Sequence, residues 1–112
     1  MDVQFTEVRG VTKAVFEGRM DSSSVGNVEN RFIEHVVPRD RPAIVDMTAV
    51  TFIASLGIRM LLGTARALAR EGSKLAMYGA NGDVLEVIET TALSEIIPVV
   101  RTEAEAIAAV SA

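Results

Sequence analysis

The residue whose type and setting best suit chemistry is Ser55, inside Asp46-Met47-Thr48-Ala49-Val50-Thr51-Phe52-Ile53-Ala54-Ser55-Leu56-Gly57-Ile58-Arg59. A serine nucleophile needs a base within hydrogen-bond reach and typically sits on a sharp Gly-x-Ser-x-Gly turn. Ile53-Ala54-Ser55-Leu56-Gly57 lacks the first glycine, and the only histidine, His35, falls late in a helical pattern among charged residues, as a solvated surface histidine would. Ester hydrolysis is a poor fit. One histidine and no cysteine leave only scattered carboxylates, without the ligand spacing of a metal site. Gly79-Ala80-Asn81-Gly82 lacks the remaining glycine of a dinucleotide fingerprint and the lysine of a P-loop, so it reads as a turn and no cofactor is expected.

A hydroxyl can also accept a phosphoryl group. Ser55 stands where a buried strand passes into a long helix, the end of an open α/β sheet at which ligands and partners engage. Unpaired N–H groups and the helix dipole favour negative charge there, so the helix tolerates a phosphate. The added charge, roughly −1.5 to −2, would disrupt an apolar contact with a partner. A plainer role for Ser55 is helix capping, and for Asp46 accepting backbone N–H bonds as the chain leaves the strand. Local physics leaves both open.

The elements that must position this segment follow from periodicity. Val3 to Arg9 and Val11 to Glu17 form an opening hairpin about Arg9-Gly10, and Gly18-Arg19-Met20-Asp21 ends its second strand. Ser22, Ser23 and Ser24 offer capping hydroxyls for a helix whose core stripe is Val25, Val28, Phe32 and Val36. Pro38-Arg39-Asp40-Arg41-Pro42 breaks that helix. Ala43 to Met47 is apolar enough for a strand buried on both faces, and Thr48 to Ala54 is the passage to the next helix. That helix starts near Ser55, carries Ile58, Leu61, Leu62, Ala65, Leu68 and Ala69 on one stripe, and stops at Gly72. Lys74 to Tyr78 is a further strand, Val84, Leu85 and Ile88 mark a shorter helix, and Ile96 to Val100 is an edge strand because Pro98 cannot donate to a ladder. Thr102 and Glu105 match a capping box, with the carboxylate reaching back to a free backbone N–H, before a final helix packed through Ile107 and Val110. The alternation implies an α/β fold, a mixed five-stranded sheet with about four helices.

At 112 residues, 49% of them hydrophobic, residues 1–112 have room for one core and one domain. Fifteen acidic against eleven basic residues, a net charge of −4, disfavour nucleic acid as a partner. No apolar run approaches the roughly 18 residues of a membrane span, and Met1-Asp2-Val3-Gln4 lacks the features of a signal peptide, so an unsecreted protein without membrane insertion is expected. Arg59, Arg66 and Arg70 form a basic stripe on the long helix; a solvated face is its usual meaning, but beside Ser55 it could steer an acidic partner. Met60 and Gly63 lie next to that stripe.

Val45-Asp46-Met47-Thr48 followed by Val50-Thr51-Phe52-Ile53-Ala54-Ser55-Leu56-Gly57-Ile58-Arg59 resembles the signature of STAS domains. The aspartate-to-serine spacing, Gly57, the ending Glu71-Gly72-Ser73-Lys74-Leu75 and the turn Gly18-Arg19-Met20-Asp21 resemble the stand-alone anti-sigma factor antagonists. That resemblance covers essentially the whole chain. It implies a cytoplasmic bacterial binding module, not an enzyme, that works by partner switching. Unmodified, such a protein binds an anti-sigma factor with serine kinase activity and frees a sigma factor. Phosphorylation ends the complex and a serine phosphatase resets it; ATP belongs to the kinase. The resemblance makes Ser55 the phospho-acceptor, Asp21 and Asp46 nearby supporting acids, and Gly57 a point of close approach. Thr51, Ala54, Leu56, Arg59, Met60 and Gly63 complete the expected partner surface. Ala54 and Leu56 flank the acceptor where relatives often carry acidic or hydroxyl residues, which leaves Thr48 and Thr51 as outside acceptor candidates. The alternative is a STAS subunit of a transport or lipid-trafficking assembly.

Overall fold

In the computed structural model, which describes residues 1–39 and 41–111, β1 (Asp2–Val8) and β2 (Val11–Met20) form the opening hairpin. Arg9 and Gly10 both adopt positive φ, 52° and 78°, the backbone that matches a two-residue turn to the twist of its strands. The chain continues through α1 (Val25–Val36), a 3-10 turn (Val37–Arg39), β3 (Ala43–Ile53), α2 (Ser55–Arg70), β4 (Leu75–Tyr78) and α3 (Gly82–Glu89). It ends with α4 (Leu93–Ile96), β5 (Val99–Val100) and α5 (Glu103–Val110). The strands lie in sequence order, antiparallel between β1 and β2 and parallel from β2 to β5.

Side-chain alternation divides the core. Ala43, Val45 and Met47 of β3 join Phe16, Phe32, Leu61, Leu68, Ile88 and their neighbours under α1 to α4, while Ile44 and Ala76 pack beneath α5 with Ile107 and Val110. The expected stripe of α1 is buried as read: Phe32 is wholly inaccessible and meets Phe16 edge to face, with ring centroids 5.1 Å apart. The loop expected over Pro38 to Pro42 includes the 3-10 turn, and Asp40 lies outside the described residues.

Several local expectations are corrected. β3 does not stop at Met47 but runs to Ile53 beside β2. From Val15↔Asp46 to Glu17↔Ala49, and again from Gly18↔Val50 to Arg19↔Phe52, β3 advances one residue further than β2. These two bulges change which positions face inward: after Met47 the buried residues are Val50 and Ile53, every third position rather than every second. The edge strand is only Val99–Val100, because Leu93–Ile96 closes as a short helix that buries Leu93. The Ser22 to Ser24 hydroxyls do not cap α1; the Asp21 carboxylate accepts from the N–H groups of Ser23 and Ser24 instead, both at 3.1 Å. Thr102 does cap α5, accepting from the Glu105 N–H at 3.2 Å, but the Glu105 carboxylate pairs with the Thr102 hydroxyl and not with a backbone N–H.

The other end of α5 packing is polar. Lys13 Nζ donates to Glu103 Oε2 at 2.6 Å, and the Tyr78 hydroxyl lies 3.2 Å from that oxygen and 3.1 Å from Asp46 Oδ2. Burial pushes the Tyr78 phenol up to about 12, so it stays a neutral donor. The hydrogen bond between Lys13 and Glu103 raises the ammonium and lowers the carboxyl.

Phe32→Ala is expected to destabilise the fold by about 3–5 kcal/mol in urea unfolding, because the side chain is fully enclosed. For the Lys13–Glu103 pair, the lowered carboxyl contributes stability that is complete above the unfolded glutamate value, roughly 4.3, and is lost as pH falls through the folded value. The raised ammonium contributes stability present below the unfolded lysine value, roughly 10.4, and lost as pH rises through the folded one. Hydrogen-exchange protection factors of α5, referred to intrinsic exchange at each pH, should therefore be highest between about pH 5 and 10, with a gain of under about 1 kcal/mol because the pair is partly exposed, and Glu103→Gln should remove the acid-side loss.

Candidate functional site

The extended pairing of β2 with β3 brings two loops together. Met20 pairs with Ile53, and the Ala54 N–H donates to the Met20 carbonyl at 2.9 Å. The turn from Asp21 to Ser24 therefore lies beside the start of α2. Ala54, in extended backbone, is the N-cap of α2, and the first intrahelical bond runs from the Ile58 N–H to the Ala54 carbonyl at 3.1 Å. Ser55 is the first helical residue and not the cap. Its hydroxyl makes no hydrogen bond among the described residues, and it is exposed. The N–H groups of Ser55, Leu56 and Gly57 have no acceptor within the helix, and the first turn carries no acidic side chain to compete for them.

Gly57 explains how α2 comes so close. A Cβ built there would lie 2.9 Å from the Met20 Cβ and 3.2 Å from Ile53 Cγ1, so its missing side chain faces the sheet and admits the helix, not a partner. Met60 is likewise 1% exposed and packs in the core, which removes it from any contact surface. Gly63 is exposed with open space before it, and Arg59, Arg66 and Arg70 are exposed and take no ion-pair partner among the described residues.

The two aspartates part company. Asp21 stands next to Met20, and its carboxylate is fully engaged: Oδ1 accepts from the Ser23 N–H and hydroxyl and from the Ser24 N–H and hydroxyl, and Oδ2 from Arg19 Nε at 3.2 Å. Those bonds, led by the Ser23 hydroxyl, then Ser24 and Arg19, hold the carboxyl well below the usual carboxylate range. Asp21 is thus a fixed anion that shapes the loop. Asp46 is not beside Ser55. It pairs with Val15 while Ile53 pairs with Met20, a separation of about 16 Å at the usual rise per strand residue. Its carboxylate accepts from the Thr48 N–H at 2.9 Å and from Tyr78, so the turn-holding role is the one the geometry supports.

Sequence reasoning named Leu56 but missed Phe52, the other half of an apolar rim. Phe52 is 38% and Leu56 36% exposed, so both flank Ser55 with large hydrophobic surface. The Arg19 guanidinium sits 4.2 Å over the centroid of the Phe52 ring while bonding Asp21, which fixes the ring's orientation. Thr51 and Phe52 also form one wall of a cleft of about 190 Å³ whose other wall is Asp83, Val84 and Val87 of α3. Thr51 and Ala54 lie at the surface between these groups, Thr51 exposed and Ala54 half-buried. His35 is far from this constellation, near the C-terminal end of α1, stacked on Phe5 at 4.0 Å rather than freely solvated; burial and then the Arg39 charge lower its pKa. Among the described residues no group of His, Asp and Glu could hold a metal, and no helix is long and apolar enough to cross a membrane.

The comparisons agree with this architecture. The anti-sigma-B factor antagonist of Listeria monocytogenes is 25% identical over 88 residues, 79% of this chain and 77% of that protein. The crystal structure of an anti-sigma factor antagonist from Mycobacterium paratuberculosis superposes with a TM-score of 0.86 at 24% identity, covering 99% of this chain and 94% of that one. The phosphorylated form of the Bacillus cell fate determinant SpoIIAA superposes with a TM-score of 0.66 at 19% identity, covering 96% and 98% of the two chains. The STAS domain profile matches residues 2–106, and the chain belongs to that family.

Proposed function

We propose that the protein is an anti-sigma factor antagonist, a binding module whose contact with an anti-sigma factor is switched by phosphorylation of Ser55. The observation that carries this is the placement of Ser55: an exposed first helical residue whose hydroxyl has no hydrogen-bond partner among the described residues, at a turn of three N–H groups without helical acceptors, on the segment that also exposes Phe52 and Leu56. A phosphate there is compatible with the helix, because the free donors and the dipole favour it. It is incompatible with a desolvated apolar contact, because it brings roughly two negative charges to its centre. The fold would survive the modification while the complex would not. The antagonist names of relatives and the existence of SpoIIAA in a phosphorylated form support the same mechanism.

In this mechanism Phe52, Leu56, Thr51, Ala54 and Gly63 supply contact surface and Arg59 steers an acidic partner face, while Arg19 and Asp21 hold the rim in shape. The serine kinase activity resides in the anti-sigma factor and brings its own ATP; a serine phosphatase restores the hydroxyl. The protein itself performs no chemistry. Ser55 has no histidine near it to act as a base.

Affinity capture from native lysate with wild-type, Ser55→Ala and Ser55→Asp baits tests the switch. The first two are expected to retain a histidine-kinase-like ATPase, and the aspartate variant to lose at least tenfold in affinity, about 1.4 kcal/mol. Retention of transport subunits by all three would instead assign the protein to a transport assembly. Phe52→Ala is expected to weaken the same partner by about 1–2 kcal/mol in calorimetry while the protein remains folded at the assay temperature, since the ring lies at the rim and outside the core; an unchanged affinity would place the contact elsewhere.

A further inference from the structure

At the opposite end of α2 from Ser55, a cleft of about 360 Å³ opens between the C-terminal half of that helix, the start of β4, the α4–β5 connection and α5. Its walls are apolar and small: Ala65 and Ala69 of α2, Ile96, Pro98 and Ala109. Ile96 is 44% exposed, the most exposed large hydrophobic side chain among the described residues. Two cations, Arg66 and Lys74, also line the cleft, and neither has an ion-pair or hydrogen-bond partner among the described residues. On a chain of net charge −4, a pair of free cations at an apolar slot is a local reversal of sign.

The backbone adds an unfilled donor and acceptor. In a parallel ladder alternate residues bond alternate neighbours. The Ala43 N–H bonds the Lys74 carbonyl at 3.0 Å, so Leu75, which stands opposite Ala43, turns its own N–H and C=O away from β3, toward the β5 side. There the β4–β5 pairing begins only at Met77↔Val99, with the Met77 N–H on the Pro98 carbonyl at 3.0 Å. Pro98 has no N–H to offer the Leu75 carbonyl, and both backbone polar groups of Leu75, which lines the cleft, find no partner among the described residues.

We propose that this cleft binds a small organic anion, an alkyl carboxylate whose chain lies along Ala65, Ala69, Ile96 and Pro98 and whose carboxylate meets Arg66 and Lys74. The planar guanidinium suits a carboxylate, which it can grip with two hydrogen bonds. The cleft has the volume of a small-molecule site and the usual makeup of one, apolar walls with a few polar groups in the lining, Arg66, Lys74 and Ser73. A bare inorganic anion would leave those walls wet, and an uncharged chain would leave both cations unused. This site is independent of the Ser55 switch, although the same helix carries both.

The test is a titration of isotope-labelled full-length protein with octanoate, 1-octanol and inorganic phosphate, followed by amide and methyl shifts. Octanoate is expected to give saturable shifts at Ala69, Leu75, Ile96 and Ala109, with at least tenfold weaker binding by 1-octanol and none by phosphate. The Arg66→Gln/Lys74→Gln double variant should weaken octanoate at least tenfold, and Ala69→Trp, which fills the slot from an exposed position, should abolish the shifts. Absent or unsaturable octanoate shifts, equal affinity for 1-octanol, saturable phosphate binding in the cleft, or shifts that persist in Ala69→Trp would each overturn the proposal. The comparison of the three probes on wild-type protein decides the matter even without the variants.

Discussion

The structure around Ser55 depends on one constraint, the parallel pairing of β2 with β3 carried out to Met20 and Ile53. β4 ends level with Asp46, so β3 from Met47 to Ile53 has a ladder partner on one side only. The two bulges let β3 bend while keeping that partner, and they turn Phe52 outward as Val50 and Ile53 turn in. Without them strict alternation would place side chains differently on the two faces. The Ala54 N–H bond to Met20 and the close seat of Gly57 on the Met20 side chain then fix where α2 begins. A hydroxyl exposed at the first helical position is the product of that register.

Around this point the polar groups divide into committed and free. Asp21 spends its carboxylate on Ser23, Ser24 and Arg19, and Arg19 in turn holds the Phe52 ring. Asp46, Tyr78, Glu103 and Lys13 satisfy one another beneath α5. The Ser55 hydroxyl, by contrast, has no hydrogen-bond partner among the described residues. A shaped rim about an uncommitted hydroxyl is what the proposed modification switch requires: a phosphate there would change charge at the surface without breaking a structural bond.

Much of this was legible in the sequence wherever the period was regular. The Val25, Val28, Phe32, Val36 stripe, the long helix from Ser55 and the buried run Ala43 to Met47 are as expected, because each is a local pattern, one stripe for a helix and a continuous apolar run for a strand covered on both faces. The reading failed where register decides. A bulge leaves no composition signal, so Thr48 to Ala54 looked like a connection and Phe52 was overlooked as a rim residue. Asp46 and Asp21 look alike in sequence, yet the ladder sets one beside Ser55 and the other under α5. Met60 falls next to the basic stripe in the sequence, but it shares the buried face of α2 with Gly57, Leu61 and Thr64 and turns into the core. The two-residue edge strand was overdrawn since Leu93 to Ile96 satisfies its backbone locally as a helical turn.

The most direct measurement is the affinity of stoichiometrically Ser55-phosphorylated protein for its captured anti-sigma factor, compared by calorimetry with the unmodified protein, while circular dichroism follows the fold of both. A loss of at least tenfold with an unchanged spectrum is the result expected of an exposed hydroxyl at the centre of an apolar rim. Equal affinity for the two forms, or unfolding on phosphorylation, would contradict it.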